Sequence, residues 1–472
     1  MNFKFKTNVI VIGSGPGGYS AAFRCADLNL NTILIEQYNN IGGVCLNVGC
    51  VPSKTLLHLV KVISEIKAIK RYGLLYSNEE ININKIRSWK NNIIIKVNSS
   101  LYKLAKVRNV KVINGYSFFI NRNTIQINNN KSITAVNFES IIIATGSKPI
   151  LLPIIKPIDY KNIWTSSDAL KLKLIPKTSL AIGGGIINLE LATIYSYLGS
   201  VVNIIEAFNQ ILPDVDKDIV NVFIQETKPK ANIILNTKVI SIKSRRNKVY
   251  TKLYNKEFYT VLKSYDIIVI AIGRLPNISL LSLEKTNVKT IKGYICVNKQ
   301  MRTNIANIYA IGDVIGKPML AHKAANESHI VAEVIAGKSY YFEPKAIPII
   351  IYTQPEIALV GYTERKAMED NINYEASIFP WLASSKAIIS NSKYGITKLI
   401  FEIKTNKIIG GLIIGSDAGE LIGELTLAIE MSCDAEDITL SIHAHPTLYE
   451  SINIASQIYT GTVTDLLNFK AK

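Results

Sequence analysis

The chain has 472 residues, 48% of them hydrophobic and 19% charged, too long for one hydrophobic core and enough for three or four domains of about 100 to 150 residues. No uninterrupted apolar run approaches the roughly 18 to 20 residues of a membrane span. Five cysteines, with only Cys45 and Cys50 close together, exclude a secreted disulfide framework and favour a reducing, cytoplasmic compartment, while the net charge of +18 is spread over scattered lysines with no dense basic block, so no specific nucleic-acid partner is expected.

In chain order, residues 9–12 are a short β-branched run that enters Gly13, Gly15, Gly17 and Gly18. A helical stretch follows from Tyr19, then a second strand over residues 32–35 that ends at Glu36. Residues 42–54 carry Gly43, Cys45, Gly49, Cys50 and Lys54. On an ideal helix, residues five apart have Cα atoms roughly 8.5 Å apart, beyond the roughly 7 Å reach of a disulfide. A Cys45–Cys50 bridge therefore predicts a distorted backbone between them, which Gly49 permits, and a strained bridge is easily reduced and reoxidised. A chance pair of buried thiols or half of a metal site is the alternative, and further ligands at finger-like spacing are absent.

Residues 140–147 read as an apolar strand ending in the small-residue turn Thr145, Gly146, Ser147. Residues 180–182 then run into Gly183, Gly184 and Gly185, a helical stretch through Glu190, and a strand over residues 201–205 ending at Glu206. The first glycine and the acid are 23 residues apart in both copies. Each copy is a βαβ unit suited to a dinucleotide: a Cβ in the loop would hold the backbone off a pyrophosphate, the helix start attracts its charge, and the acid accepts from ribose hydroxyls. Glu206 would repel the extra phosphate of NADP, so NAD is expected in the second copy. Asn188 stands where that copy's third glycine would be, which predicts a slightly displaced helix and weaker nicotinamide binding.

Residues 267–271, followed by Gly273, repeat the pattern of residues 140–147, and each is predicted to be the last strand of its nucleotide-binding sheet. A third strand, residues 308–311, ends at Gly312 and Asp313. From about Phe342 the chain turns to short alternating runs, residues 396–400 and 408–414, and a helix around residues 420–431, a separate α+β unit. Near its end stand His443, His445, Tyr449 and Glu450. An imidazole held by a carboxylate is the base that thiol chemistry near neutral pH requires.

Taken together, the two glycine loops, the cysteine segment, the paired strand ends, Gly312–Asp313 and the His445–Glu450 motif resemble the pyridine nucleotide-disulfide oxidoreductases in register over essentially the whole chain, the dihydrolipoamide dehydrogenase branch most closely. The resemblance implies an α/β fold of two Rossmann-like dinucleotide-binding domains plus a C-terminal α+β dimerisation domain. Its divisions would be residues 1–148 for FAD with the cysteine pair, 149–273 for NAD, 274–342 as a central continuation of the FAD domain, and 343–472 for dimerisation. It implies Cys50 as the sulfur beside the flavin, Cys45 as the sulfur that exchanges with substrate, a Lys54–Glu190 pair near the flavin, His445 as base and Glu450 as its orienting partner. Cofactor contacts are implied for Gly13, Gly15, Gly18, Glu36, Gly43, Lys54, Ser117, Thr145, Gly146, Ser147, Asp313, Met319, Leu320, Ala321 and His322, and for Gly183, Gly185, Glu190, Glu206, Val239 and Gly273. The expected partners are dihydrolipoamide on lipoyl domains, a second copy of the chain and an acyltransferase core. Another NAD(P)H-dependent disulfide reductase, such as a glutathione reductase, and a degenerate flavoprotein scaffold are the competing readings. Tyr449, where relatives carry a small polar residue, is expected either to sit at the surface or to crowd the site.

Overall fold

A computed structural model describes residues 5–73, 80–129, 133–153, 161–228, 230–245, 247–256 and 259–467. The first sheet orders its strands Lys111–Asn114, Thr32–Glu36, Phe5–Ile12, Ile133–Ile143, Thr124–Asn128, Tyr116–Asn121, and Ile308–Ala310 also pairs with Ile133–Ile143. Phe5–Ile12 runs parallel to both neighbours, with Val9 opposite Thr32 and Ser140. Continuous apolar runs suit strands covered on both faces. On one face Val9, Val11 and Ile142 meet Ala21 and Ala22 of the helix Pro16–Asp27 and Val331 and Ala332 of the helix Ala321–Ile335. On the other, Ile10, Ile12, Ile141 and Ile143 meet Phe119 and Ile125, the two-residue alternation of a pleated strand.

A second, wholly parallel sheet orders Ala231–Ile234, Val201–Ile205, Thr178–Ile182, Ile267–Ile270 and Ile163–Thr165. An antiparallel sheet of Thr237–Arg245, Lys248–Asn255 and Tyr259–Tyr265 lies beside it. The third large sheet is antiparallel, in the order Ile349–Ile351, Glu356–Gly361, Ile408–Gly415, Ile396–Glu402, Tyr374–Pro380. Its sequence alternation is muted because both faces are buried: Ile400, Leu412 and Ile414 join the core of the second unit, whereas Leu399, Phe401 and Ile413 join Leu425 and Ile429 of the helix Ala418–Met431.

Two expectations need correction. Residues 140–147 do not supply the last strand of their sheet in chain order, because Ile308–Ala310 follows and pairs with Ile133–Ile143, whereas residues 267–271 do, though in space Ile267–Ile270 lies between Thr178–Ile182 and Ile163–Thr165. The first helix begins at Pro16 instead of Tyr19, with Gly15 as its cap, because proline fits the first helical position, where no N–H is needed.

The cysteine segment forms two helices, Gly43–Val48 and Cys50–Ile69, broken at Gly49, whose φ and ψ are −137° and −110°. The break agrees with the distortion expected between the cysteines. By length and composition the span Gly43–Ile69 is apolar enough to cross a membrane. Here its Leu56, Leu57 and Val60 instead pack with Leu189 and Ala192 of the second unit and with Ile400 and Leu412 of the third sheet. The helix is thus wedged among all three units, and a buried lysine adds a polar tie: Lys398, 0% exposed, is paired with Asp216 at 3.1 Å, Asp218 at 2.8 Å and Glu364.

Candidate active site

One cavity of about 1670 Å³ runs between the two βαβ units. Both units are wired alike. Gly13 N–H donates to Ile35 O and Gly183 N–H to Ile205 O, each at 2.8 Å. Glu36 takes the Ser14 amide at 3.0 Å on one oxygen and the Tyr38 amide at 3.0 Å on the other. Glu206 takes the Gly184 amide at 2.6 Å and the Phe208 amide at 3.0 Å. Each acid is thereby fixed at the end of its strand beside its loop.

The glycines divide by what limits them. A Cβ on Gly18 would collide with the Gly13 carbonyl, so that glycine serves helix packing. A Cβ on Gly15, Gly146 or Gly185 would meet no protein atom within 4 Å; for Gly15 and Gly185 it would enter the cavity they line, which is what a backbone cradle for a pyrophosphate requires. Ser117 adds a buried hydroxyl on the same wall with no protein partner among the described residues. The residues therefore fit two dinucleotides, one at each loop.

Between the loops stand the thiols. Cys45 and Cys50 are free and hydrogen-bonded to one another. The hydrogen bond from Cys45 holds the Cys50 thiol down at about 7, with Lys54 assisting against burial and Glu190. The same bond and burial raise Cys45. The pairing and Lys54 thus favour the thiolate on Cys50 over Cys45. Lys54 Nζ lies 2.8 Å from both oxygens of Glu190 and 4.6 Å from the centre of the Tyr352 ring, while the Tyr352 amide donates to Glu190 at 3.2 Å. The Lys54–Glu190 pair expected from the sequence is formed.

Gly43, Thr145, Gly146, Ser147, Val239, Gly273, Asp313, Met319, Leu320 and Ala321 also line the cavity. Ser147 Oγ donates to Asp313 and accepts from Arg274 Nε at 2.7 Å. Two expected contacts stand off it. Gly18 lies under its loop, as its packing demands, and His322 has its ring at 2.9 Å from the Pro348 carbonyl. Three lining or bracing groups were missed: Arg274, Tyr352 and Ser14. Arg274 directly follows Gly273 at the end of the second strand-end repeat, in the place that Ser147 takes in the first, and burial lowers its pKa; Tyr352 stands in no repeated motif.

Asn188 ties the start of its helix to the glycine loop. Its Nδ2 donates to Ile182 O at 2.5 Å and Gly183 O at 3.0 Å, and Leu189 N–H reaches Gly185 O at 3.1 Å as Tyr19 N–H reaches Gly15 O at 3.0 Å. The amide replaces close backbone contact with hydrogen bonds.

Neither His445 nor Glu450 lines the cavity. They meet each other at the surface of the third unit, where His445 Nδ1 is 2.9 Å from Glu450 Oε1. Glu450 opens the helix Glu450–Thr460. His443, by contrast, is fixed to Glu424 at 2.8 Å, and that bond raises its pKa. Tyr449 neither crowds the cavity nor points free, since its hydroxyl accepts the Ala444 amide at 2.9 Å.

Residues 7–328 match the family described as pyridine nucleotide-disulphide oxidoreductase, and residues 347–456 match its dimerisation domain. The chain belongs to the pyridine nucleotide-disulphide oxidoreductase family. It is 50% identical over 473 residues to a dihydrolipoyl dehydrogenase of Vibrio cholerae, covering 100% of this chain and 99% of that one. To a dihydrolipoyl dehydrogenase of Buchnera aphidicola subsp. Acyrthosiphon pisum it is 52% identical over 471 residues, again covering 100% and 99%. Among solved structures, the HOCl-induced flavoprotein disulfide reductase RclA from Escherichia coli superposes with a TM-score of 0.84 at 26% identity, covering 94% of this chain and 98% of the other. The chain is accordingly an FAD- and NAD-dependent disulfide oxidoreductase with two dinucleotide-binding units and a C-terminal dimerisation domain.

Proposed function

We propose that this member of the family oxidises dihydrolipoamide, carried on lipoyl domains, to lipoamide while NAD is reduced, as the E3 component of a 2-oxo acid dehydrogenase assembly. The observation that carries the reading is the Cys45–Cys50 pair set in one cavity between two acid-anchored glycine loops. When bound, FAD at the first loop would supply an acceptor for the electron pair of the reduced thiols, and NAD at the second would supply the final hydride acceptor. Gly13, Gly15, Glu36, Ser117 and Asp313 hold the first nucleotide; Gly183, Gly185, Glu206 and Val239 hold the second. Residues 1–148 and 274–342 serve FAD, 149–273 NAD, and 343–472 the dimer.

The protein residues run the thiol half. His445 Nε2 takes a proton from one substrate thiol, while Glu450 holds Nδ1 and stabilises the imidazolium. The substrate thiolate attacks Cys45 of the Cys45–Cys50 disulfide, and Cys50 leaves as the thiolate that Lys54 favours. The second substrate thiol, deprotonated in turn, attacks the sulfur bound to Cys45. That closes lipoamide and expels Cys45 as a thiolate, which takes up the second thiol's proton, while the first stays on the His445 imidazolium. Because His445 lies away from its own chain's cavity, it serves the cysteines of a second copy, and the dimer is the catalytic unit. Glu206, with both oxygens tied to backbone amides beside the second loop, disfavours the 2′-phosphate of NADP and with it a glutathione reductase. The site of action is the cytoplasm, where E3 docks on an acyltransferase core.

NADH formation by flavin-loaded protein with dihydrolipoamide and NAD tests the reading, beside a Cys50→Ser variant. Turnover is expected in the first and none in the second. Failure of the flavin-loaded wild type with NAD, together with turnover using NADPH and glutathione disulfide, overturns it.

A further inference from the structure

The segment that carries His445 has almost no packing to shape it. Ser441, Ile442, Ala444, His445 and Pro446 are all exposed, and the His445 side chain is 70% exposed. Its direction is set by hydrogen bonds from the adjoining helix start. Glu450 Oε1 meets His445 Nδ1, and Oε2 accepts the Thr447 amide at 2.6 Å. Thr447 Oγ1 donates to the Ala444 carbonyl at 2.7 Å, and the Ala444 amide donates to Tyr449 Oη at 2.9 Å. Both peptide planes flanking Ala444 are thereby pinned, immediately before the imidazole. Tyr449 is itself braced, with its ring centroid 5.2 Å from that of His443. His443 Nδ1 faces the Ser441 carbonyl and Nε2 the Glu424 carboxylate, each at 2.8 Å. A carbonyl and a carboxylate only accept, so this setting favours the protonated ring, whose pKa the bond to Glu424 raises, beside the tyrosine π-system.

We propose that Tyr449 is a positioning residue for the thiol chemistry: its hydroxyl and ring hold the Ala444 peptide so that the imidazole of His445 is presented to substrate. The inference rests on the reading of His445 as base. Water can replace the Tyr449 hydroxyl at an exposed amide, so losing this bond changes the population of the productive conformer by roughly threefold to tenfold.

The test is Tyr449→Phe in the flavin-loaded dimer, which keeps the ring and removes the acceptor. With dihydrolipoamide and NAD, kcat is expected to fall about fivefold, with KM for NAD unmoved. NADH-driven reduction of ferricyanide, which needs the cofactors but no thiol base, is expected to stay at the wild-type rate. Thr447→Val, which releases the other side of the Ala444 peptide, gives the same selective loss and serves as the independent variant. Wild-type kcat in both variants overturns the proposal. So does an equal fall in dihydrolipoamide and ferricyanide turnover, which marks a merely structural role. A fully active His445→Gln overturns the reading of His445 as base. An inactive His445→Gln beside a wild-type Tyr449→Phe overturns the positioning role alone.

Discussion

Replacing Lys54 by methionine tests the electrostatics of the thiol pair. The ammonium neutralises Glu190, whose side chain is only 6% exposed, and it lowers Cys50 while Glu190 raises it. The substitution therefore acts twice in one direction, by removing an attracting cation and by uncovering a repelling carboxylate. Loss of one nearby opposite charge shifts a group by roughly one to two pH units in a partly buried setting. Cys50 starts at about 7, where half is thiolate at neutral pH. After the shift, roughly 9% to 1% is thiolate at pH 7, so thiol-dependent turnover at that pH falls about fivefold to fiftyfold and recovers as pH rises. The assay is the thiolate absorbance of the reduced protein against pH, with the rate of iodoacetamide alkylation as a second readout. Glu190→Gln in the Lys54→Met background is expected to return part of the shift. A midpoint within about 0.3 pH units of wild type in Lys54→Met refutes the reasoning, because neither charge then acts on Cys50.

Other perturbations separate fold from site. Gly15→Ala is expected to leave the stability of the flavin-free protein within about 1 kcal/mol of wild type but to abolish tight FAD retention, whereas Gly18→Ala, whose Cβ meets the Gly13 carbonyl, destabilises the flavin-free protein itself; unfolding and flavin-release measurements on both distinguish them. Glu206→Ala removes the acceptor fixed by the Gly184 and Phe208 amides, and steady-state kinetics should show KM for NAD raised about tenfold, the cost of one charge-assisted hydrogen bond. Lys398→Met leaves Asp216 buried without its cation and is expected to cost about 3 to 5 kcal/mol in denaturant unfolding; a loss below about 1 kcal/mol means the cluster relaxes into water.

Legibility followed locality. The glycine loops, their acids and the cysteine spacing are local patterns whose geometry is set by a few neighbouring residues, and each folds as its pattern requires, down to the break at Gly49. Strand order was harder. The runs at 140–147 and 267–271 each follow a nucleotide loop in sequence, yet their neighbours in space include distant segments such as Ile308–Ala310 and Ile163–Thr165. Tyr352 and Arg274 escaped for the same reason: a tyrosine amide bonded to Glu190 and a guanidinium bonded to Ser147 are contacts across 162 and 127 residues. Alternation in the C-terminal strands was faint because Leu399 and Ile400 enter different cores, so the two-residue period carries no polar face.

The two halves also indicate what the scaffold must conserve physically and what it can exchange. Amide bonds from the residue after the first glycine and from the residue two beyond the acid recur in both copies, because an unanchored carboxylate at a strand end would turn to water and lose the ribose. The third glycine is exchangeable, provided the replacement gives the loop carbonyls a donor. At Asn188 the amide does so, though its Oδ1 is buried with no partner among the described residues. Asparagine thus holds the second loop by polar contacts where glycine holds the first by proximity. An orphaned acceptor costs about 1 to 3 kcal/mol, so Asn188→Gly trades that penalty and two hydrogen bonds for closer packing and should change NAD affinity by less than about tenfold. A larger loss in NAD titrations would mean that the second loop depends on the Asn188 amide to keep its shape.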